Sequence, residues 1–172
     1  MKYQSQEFEG EKFKSVDFAG QSFKDAKFID CVFDTCNLSN VDLGNVSLQN
    51  VTFKNCKLSG LNFSKCNKFF LKISFDDCLI QLSIFFGLNL KGTDFKNNQI
   101  IDCDFTSANL TKASFEDSDL DKSVFMGTDL SCTSFINAKN YNLDPRSNTL
   151  RKTKFSMPEV ISLLSSFDIE IN

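Results

Sequence analysis

The residues of this chain best equipped for chemistry are its seven cysteines. Thiolates bind soft metals and exchange disulfides, usually from close Cys-x-x-Cys pairs supported by histidine. Neither feature is present: the chain has no Cys-x-x-Cys and no histidine. Cys36, Cys56 and Cys78 are spaced by about twenty residues, as are many other residue types here, so they read as small apolar fillers rather than ligands. Without histidine the commonest general base is missing. No nucleophile–base pair and no glycine-rich phosphate loop stand out. The chain is therefore expected to have no catalytic residue, no metal site and no cofactor, and not to be an enzyme.

Carboxylates are the second candidate. The net charge is −3, which argues against a nucleic-acid binder with a basic face. Acid is concentrated in one stretch, where Asp94, Asp102, Asp104, Glu116, Asp117, Asp119, Asp121 and Asp129 face only Lys96, Lys112 and Lys122. Two readings stand: a surface that imitates DNA phosphates for a basic partner, formed by Asp94, Asp104, Glu116, Asp117, Asp119, Asp121 and Asp129, or ordinary solubility charge.

The elements that position these residues follow from a repeat. From Phe8 every fifth residue is Phe or Leu up to Phe63; the phase slips by two residues within 64–69 and resumes at Phe70, running to Phe135 and failing at Asn140. Two residues before each large apolar centre sits a small or apolar residue, and Asp or Asn often directly precedes it. A period of five suits neither a helix nor a simple strand; it suits a chain that turns a corner every five residues. Four such units close a square coil, and stacked coils pair like parallel strands about 4.8 Å apart. With twenty residues per coil, the centres Phe13, Phe33, Phe53, Phe75, Phe95, Phe115 and Phe135 fall in one column on the second face. The outward column beside it alternates in charge: Lys14, Asp34, Lys54, Asp76, Lys96, Glu116. Phe69, Leu71, Leu79, Leu82, Ile84 and Phe86 point outward in this register. They form either an apolar contact belt or the filling of a coil distorted by the slip.

This pattern, small–Asp/Asn–Leu/Phe–x–x, resembles that of the pentapeptide-repeat family over roughly residues 6–137. The resemblance implies an all-β solenoid, a right-handed quadrilateral β-helix. Residues 1–140 are read as the β-helix and 141–172 as a C-terminal cap. Ser156 and Glu159 match a capping box, which predicts a helix from about Met157 to Ser166. Val160, Ile161, Leu163, Leu164 and Phe167 give that helix apolar faces, for capping the last coil and for pairing with a second copy. Asp168–Ile171 reads as a short strand. This ending resembles the quinolone-resistance (Qnr-type) pentapeptide-repeat proteins. That resemblance implies a rod-shaped homodimer joined at the C-terminal helix and engaging DNA gyrase and topoisomerase IV as a DNA mimic. A general protein-interaction scaffold with an unknown partner is the second reading. No direct nucleic-acid binding and no membrane partner are expected. The first residues carry no apolar secretory core, so a cytoplasmic location is expected.

Overall fold

The structure, a computed structural model, describes residues 2–167 and 169. The chain winds into a four-sided β-solenoid of about seven turns with one short helix at its C-terminal end. Every strand pairing is parallel and joins one coil to the next. Glu7–Glu9, Lys27–Ile29 and Ser47–Gln49 pair in order on the first face. Lys12–Lys14, Val32–Asp34, Val51–Lys54 and Ile73–Asp76 pair on the second. Lys57–Ser59, Leu79–Gln81 and Gln99–Ile101 pair on the third.

Each corner has a backbone cause. The second residue after most centres adopts a left-handed conformation, with φ between 50° and 70°. Gly, Asn and Asp dominate there because they tolerate it best. At many corners the centre's carbonyl accepts the N–H three residues on, as Phe18 does from Gln21 (2.9 Å) and Phe23 from Ala26 (2.8 Å). The Asp or Asn before a centre does a second job. Its Oδ1 accepts the N–H of the residue after the centre, as in Gly44 to Asp42 (3.0 Å) and Ser64 to Asn62 (3.1 Å). This Asx bond gives the turn a partner that regular pairing leaves out.

Inside, the second and fourth faces each carry a stack of phenylalanine rings. Phe75, Phe95 and Phe115 lie nearly parallel, 5.1 and 4.8 Å apart. Phe63, Phe85 and Phe105 do the same at 4.7 and 4.8 Å. Between the two stacks the rings meet edge to face, as Phe85 and Phe95 do at 89°. Ring quadrupoles favour both geometries, and a square core supplies both at once. Leu and Ile fill the first and third faces through most of the rod.

The ends are sealed by residues beyond the run from Phe8 to Phe135. Tyr3 closes the first coil, edge-on to Phe18 (5.1 Å) and Phe23 (5.6 Å). At the other end the coil does not stop at Asn140. Asn142–Leu143 pairs with Val124–Phe125, and Lys154–Phe155 pairs with Ser134–Phe135. Phe155 stacks on Phe135 at 5.4 Å. The solenoid thus reaches Phe155, and a boundary at residue 140 is too early.

The phase slip also moves. Ser47 still pairs with Asn67, twenty residues on, whereas Val51 pairs with Ile73. The extra residues therefore lie in 68–72, which overlaps the expected 64–69 only at 68 and 69, and they cover the span that residues 48–50 cover in the coil below. Residues 63–67 keep their places, with Phe63 and Cys66 buried. Because the backbone on either side is held in register, the surplus has to arch outward. Phe70, expected as a core centre, is 74% exposed with φ of +57°, and Leu71 packs partly against the core instead.

Candidate partner-binding surfaces

The acidic candidates do not form one patch. Asp94 and Glu116 stand on the second face, Asp119 and Asp121 on the third, Asp104 on the fourth and Asp129 on the first, as their bridges and repeat positions require. Asp117 occupies the corner between the second and third faces. Glu116, Asp117, Asp119 and Asp121 are thus brought together along one edge, and the others complete a band around the rod.

The carboxylates are held rather than free-swinging. Oδ1 of Asp94 accepts the Lys96 N–H (3.1 Å), Asp104 that of Thr106 (2.9 Å), Asp119 that of Asp121 (3.2 Å) and Asp129 that of Ser131 (3.0 Å). Asn137 and Asn140 donate side-chain N–H groups to Asp117 (3.0 Å) and Asp119 (2.8 Å). The Ser131 hydroxyl and N–H keep the Asp129 carboxyl below its ordinary range, so it stays ionised. Lysines answer part of the charge: Lys96 reaches Glu116 at 3.4 Å and Lys122 reaches Asp121 at 3.8 Å. The alternating column on the second face closes only some of its rungs. Lys54 meets Asp76 (3.8 Å), whereas Asp34 turns to Lys12 (3.2 Å).

The expected apolar belt separates into parts. Phe69 is 76% exposed and stands with Phe70 on the arch of the first face, beside exposed Lys65, Lys68 and Lys72. Leu82, Ile84 and Phe86 are exposed at the fourth face and the corner leading to it. Leu71 and Leu79 do not belong to a contact surface: both are half-buried, Leu71 against the core and Leu79 within the third-face strands. Two further exposed residues, Val124 and Met126, occupy the same outward positions as Ile84 and Phe86 two coils later. Their spacing of forty residues was the available signal.

The C-terminal helix is a 3-10 helix, Glu159–Ser166. The capping box is not formed, because the Ser156 hydroxyl accepts the Asn137 N–H (2.8 Å) instead. Leu163 packs against the core and Val160 is half-buried. Ser162 donates to the Tyr141 carbonyl (3.3 Å). Ile161 and Leu164 remain exposed on the other side, and Phe167 lies under the Arg146 guanidinium (5.5 Å). The strand read over Asp168–Ile171 lies outside the described residues except for Ile169, which belongs to no strand.

Six of the seven cysteines are buried as fillers, Cys132 being exposed at a corner, and Cys36, Cys56 and Cys78 join a hydrogen-bond ladder. The N–H of Cys36 points at the Cys56 sulfur and that of Cys56 at the Cys78 sulfur, each at 3.4 Å. Asn98 takes the next rung. Its Oδ1 accepts the Cys78 N–H (2.7 Å), and its Nδ2 donates to the carbonyls of Phe75 (3.1 Å) and Lys96 (2.8 Å). Burial pushes the Cys66 and Cys103 thiols up to about 12, out of reach of thiolate chemistry. Among the described residues no group of His, Cys, Asp and Glu is placed to hold a metal ion, and no helix is long and apolar enough to cross a membrane.

Comparison with known proteins agrees with this architecture. The family model for the pentapeptide repeat region matches residues 6–68 and 31–101, and that for pentapeptide repeats (8 copies) matches residues 108–139. The chain belongs to the pentapeptide-repeat family. Among solved structures it is similar to QnrB1, a plasmid-mediated fluoroquinolone resistance protein, with 19% identity and a TM-score of 0.55 over 99% of this chain and 92% of that one. A second similar structure is HetL, a pentapeptide repeat protein involved in heterocyst differentiation regulation from the cyanobacterium Nostoc. It shows 13% identity and a TM-score of 0.35 over 88% of this chain and 86% of that one. At 19% identity the likeness to QnrB1 is one of fold. No curated protein matches the chain by sequence.

Proposed function

We propose that this protein is a non-catalytic DNA-mimic rod that binds a type II topoisomerase, DNA gyrase or topoisomerase IV, and so modulates quinolone sensitivity. The observation that carries the reading is the acidic band. Eight carboxylates against three lysines in residues 94–129 encircle the rod, and backbone amides or neighbouring side chains hold most of them in fixed directions. A duplex also presents negative charge at regular intervals from a stiff rod, and a protein surface built to receive it attracts charge of that sign over long range. The fold it shares with a fluoroquinolone resistance protein points to the same class of partner. A core filled with Phe and Leu leaves no interior room for a substrate, in keeping with a binding role.

The test is a supercoiling assay with purified gyrase, with and without a quinolone, titrated with this protein at several salt concentrations. Inhibition or drug rescue that fades as salt rises is expected, weakened by charge reversal at Asp104, Asp119 and Asp129. No effect at micromolar protein in low salt would remove topoisomerase as the target. We further propose that two copies join through the C-terminal helix, using exposed Ile161 and Leu164. Sedimentation of Leu164→Asp is expected to show monomers; a persistent dimer would place the interface elsewhere.

A further inference from the structure

The fourth face carries a bounded pattern that neither the fold nor the acidic band requires. Three successive rungs present outward Leu82, Ile84 and Phe86, then Asp102, Asp104 and Thr106, then Lys122, Val124 and Met126. Their alignment is fixed by bridges from Ile84 to Asp104 to Val124, with the Phe85 N–H on the Asp104 carbonyl (2.7 Å) and the Phe105 N–H on that of Val124 (2.9 Å). Directly before and after the centres the rungs read apolar (Ile84, Phe86), polar with one carboxylate (Asp104, Thr106) and apolar (Val124, Met126), while the corner column reads Leu82, Asp102, Lys122, the lysine leaning to Asp121 (3.8 Å). Phe86 is 50% exposed and Met126 56%. Polar rungs close the pattern on both sides: Asn62 and Ser64 below, Asn142 and Asp144 above.

The two apolar rungs lack a bond that four other rungs of this column make. On the fourth face Ser22, Asp42, Asn62 and Asp104 each accept the N–H of the residue after the centre. Ile84 and Val124 have no side-chain acceptor to offer Phe86 and Met126. Leu82, at the corner leading into this face, holds a left-handed φ of +51°, which a γ-branched side chain disfavours. Each exchange forgoes a turn bond that the intervening coil makes at Asp104. Local losses of this kind concentrate at functional surfaces.

The geometry selects an occupant. One coil rises about 4.8 Å, so the two apolar rungs lie roughly 10 Å apart with the acidic rung midway. Along an α-helix, residues seven apart are separated by about 10.5 Å, and those three or four along fall near the middle. An extended strand places same-side residues about 6.8 Å apart and matches neither rung. We propose that these three rungs dock an amphipathic helix of a partner protein, laid along the rod axis. That helix carries two large apolar residues seven apart and an arginine or lysine between them that meets Asp104 and Asp102. The site shares Asp102 and Asp104 with the acidic band but does not rest on the topoisomerase reading, since its apolar rungs are tested separately.

The test uses the full chain and fluorescein-labelled, covalently stapled helical peptides of one composition, read by anisotropy. One peptide has leucines seven apart with an arginine midway; the other has the leucines four apart. The first is expected to bind about tenfold more tightly. Ile84→Asn and Val124→Asn place in the column a residue it already uses at Asn62, so both variants keep the fold, and each is expected to weaken binding about tenfold. Asp104→Asn keeps the turn bond and removes the charge; it is expected to weaken binding about fivefold and to reduce its salt dependence, Asp102 still being charged. Equal affinity for both peptides, no binding of either at millimolar concentration, or full affinity in all three variants overturns the proposal. So does a loss that instead follows Phe69→Ser and Phe70→Ser on the first face.

Discussion

Residues 66–87 and residues 88–107 form neighbouring coils with the same interior and opposite exteriors. Inside, Phe75 lies under Phe95 and Phe85 under Phe105, and Ile80 pairs with Ile100. Outside, one coil shows Phe69, Phe70, Leu82, Ile84 and Phe86, while the next shows Asp94, Asp102 and Asp104. The difference shows how labour is divided in this fold. The inward positions are bound to their neighbours above and below, so they vary little along a column. The outward positions answer to turn chemistry and a few cross-coil contacts such as Asn137 with Asp117 and Lys96 with Glu116, so adjacent coils can carry different surfaces a few ångströms apart.

The largest effects are expected inside. Phe95→Ala opens a cavity between two stacked rings and should cost about 3–5 kcal/mol in denaturant unfolding, while Phe70→Ala, on the arch, should change stability by less than about 0.5 kcal/mol. Similar costs at both sites would mean that the arch is folded into the core. Next comes Asn98→Ala, which strips partners from the Cys78 N–H and two carbonyls in a buried ladder. A loss of about 2–3 kcal/mol is expected from thermal unfolding, although far less apolar contact is lost than at Phe95. Asn98→Ser, which imitates Ser118 one coil on, should recover part of it.

The same division explains what the sequence makes legible. The core column from Phe13 to Phe135 is readable because each member repeats the one twenty residues away. Tyr3, twenty before Phe23, and Leu150 and Phe155, twenty after Leu130 and Phe135, obey that rule as well; the last coil is concealed because pairing shortens to eighteen residues at Asn142–Leu143 before returning to twenty at Thr149. The arch defeats the rule for a physical reason. Phe69, Phe70 and Leu71 are all apolar enough for the core, and residue type does not decide among them. Backbone pairing at Asn67 and Ile73 does, by fixing both ends and leaving a surplus between. The apolar rungs of the fourth face are half legible: Ile84 and Phe86 stand out beside the slip, whereas Val124 and Met126 are visible only when residues two coils apart are compared. Ser156 shows the limit of motif reading, since its hydroxyl serves the coil below and not the helix ahead.

A smaller effect separates exposed strain from exposed function. Leu82 and Phe70 hold left-handed backbone, with φ of 51° and 57°. Leu82→Gly and Phe70→Gly should each stabilise the fold by about 1 kcal/mol, because glycine adopts that region without a Cβ clash. Stabilisation at Leu82 accompanied by weaker peptide binding would show stability given up for a contact; stabilisation at both sites without loss of binding would place the contact in Ile84, Phe86, Val124 and Met126 alone.

The smallest expected effect concerns the acidic band and depends on pH. The Ser131 hydroxyl and N–H lower the Asp129 pKa from its ordinary value of 3.8. The folded state thus binds this proton less readily than the unfolded chain does. The resulting stabilisation is complete above the unfolded value and is lost as pH falls through the folded one. Asp129→Asn keeps an oxygen acceptor for the Ser131 N–H, as Asn109 does for Thr111 one coil earlier (3.0 Å), but has no proton to gain. Stability measured against pH should therefore fall less steeply for the variant below about pH 4, and the two curves should run parallel above it. Because the carboxylate is close to solvent, the difference should be small and should shrink further in high salt. Parallel curves down to the lowest pH would mean that the turn bond at Asp129 does not distinguish a carboxylate from an amide. In that case the charge at Asp129 has no structural duty of its own, and only a partner gives it one.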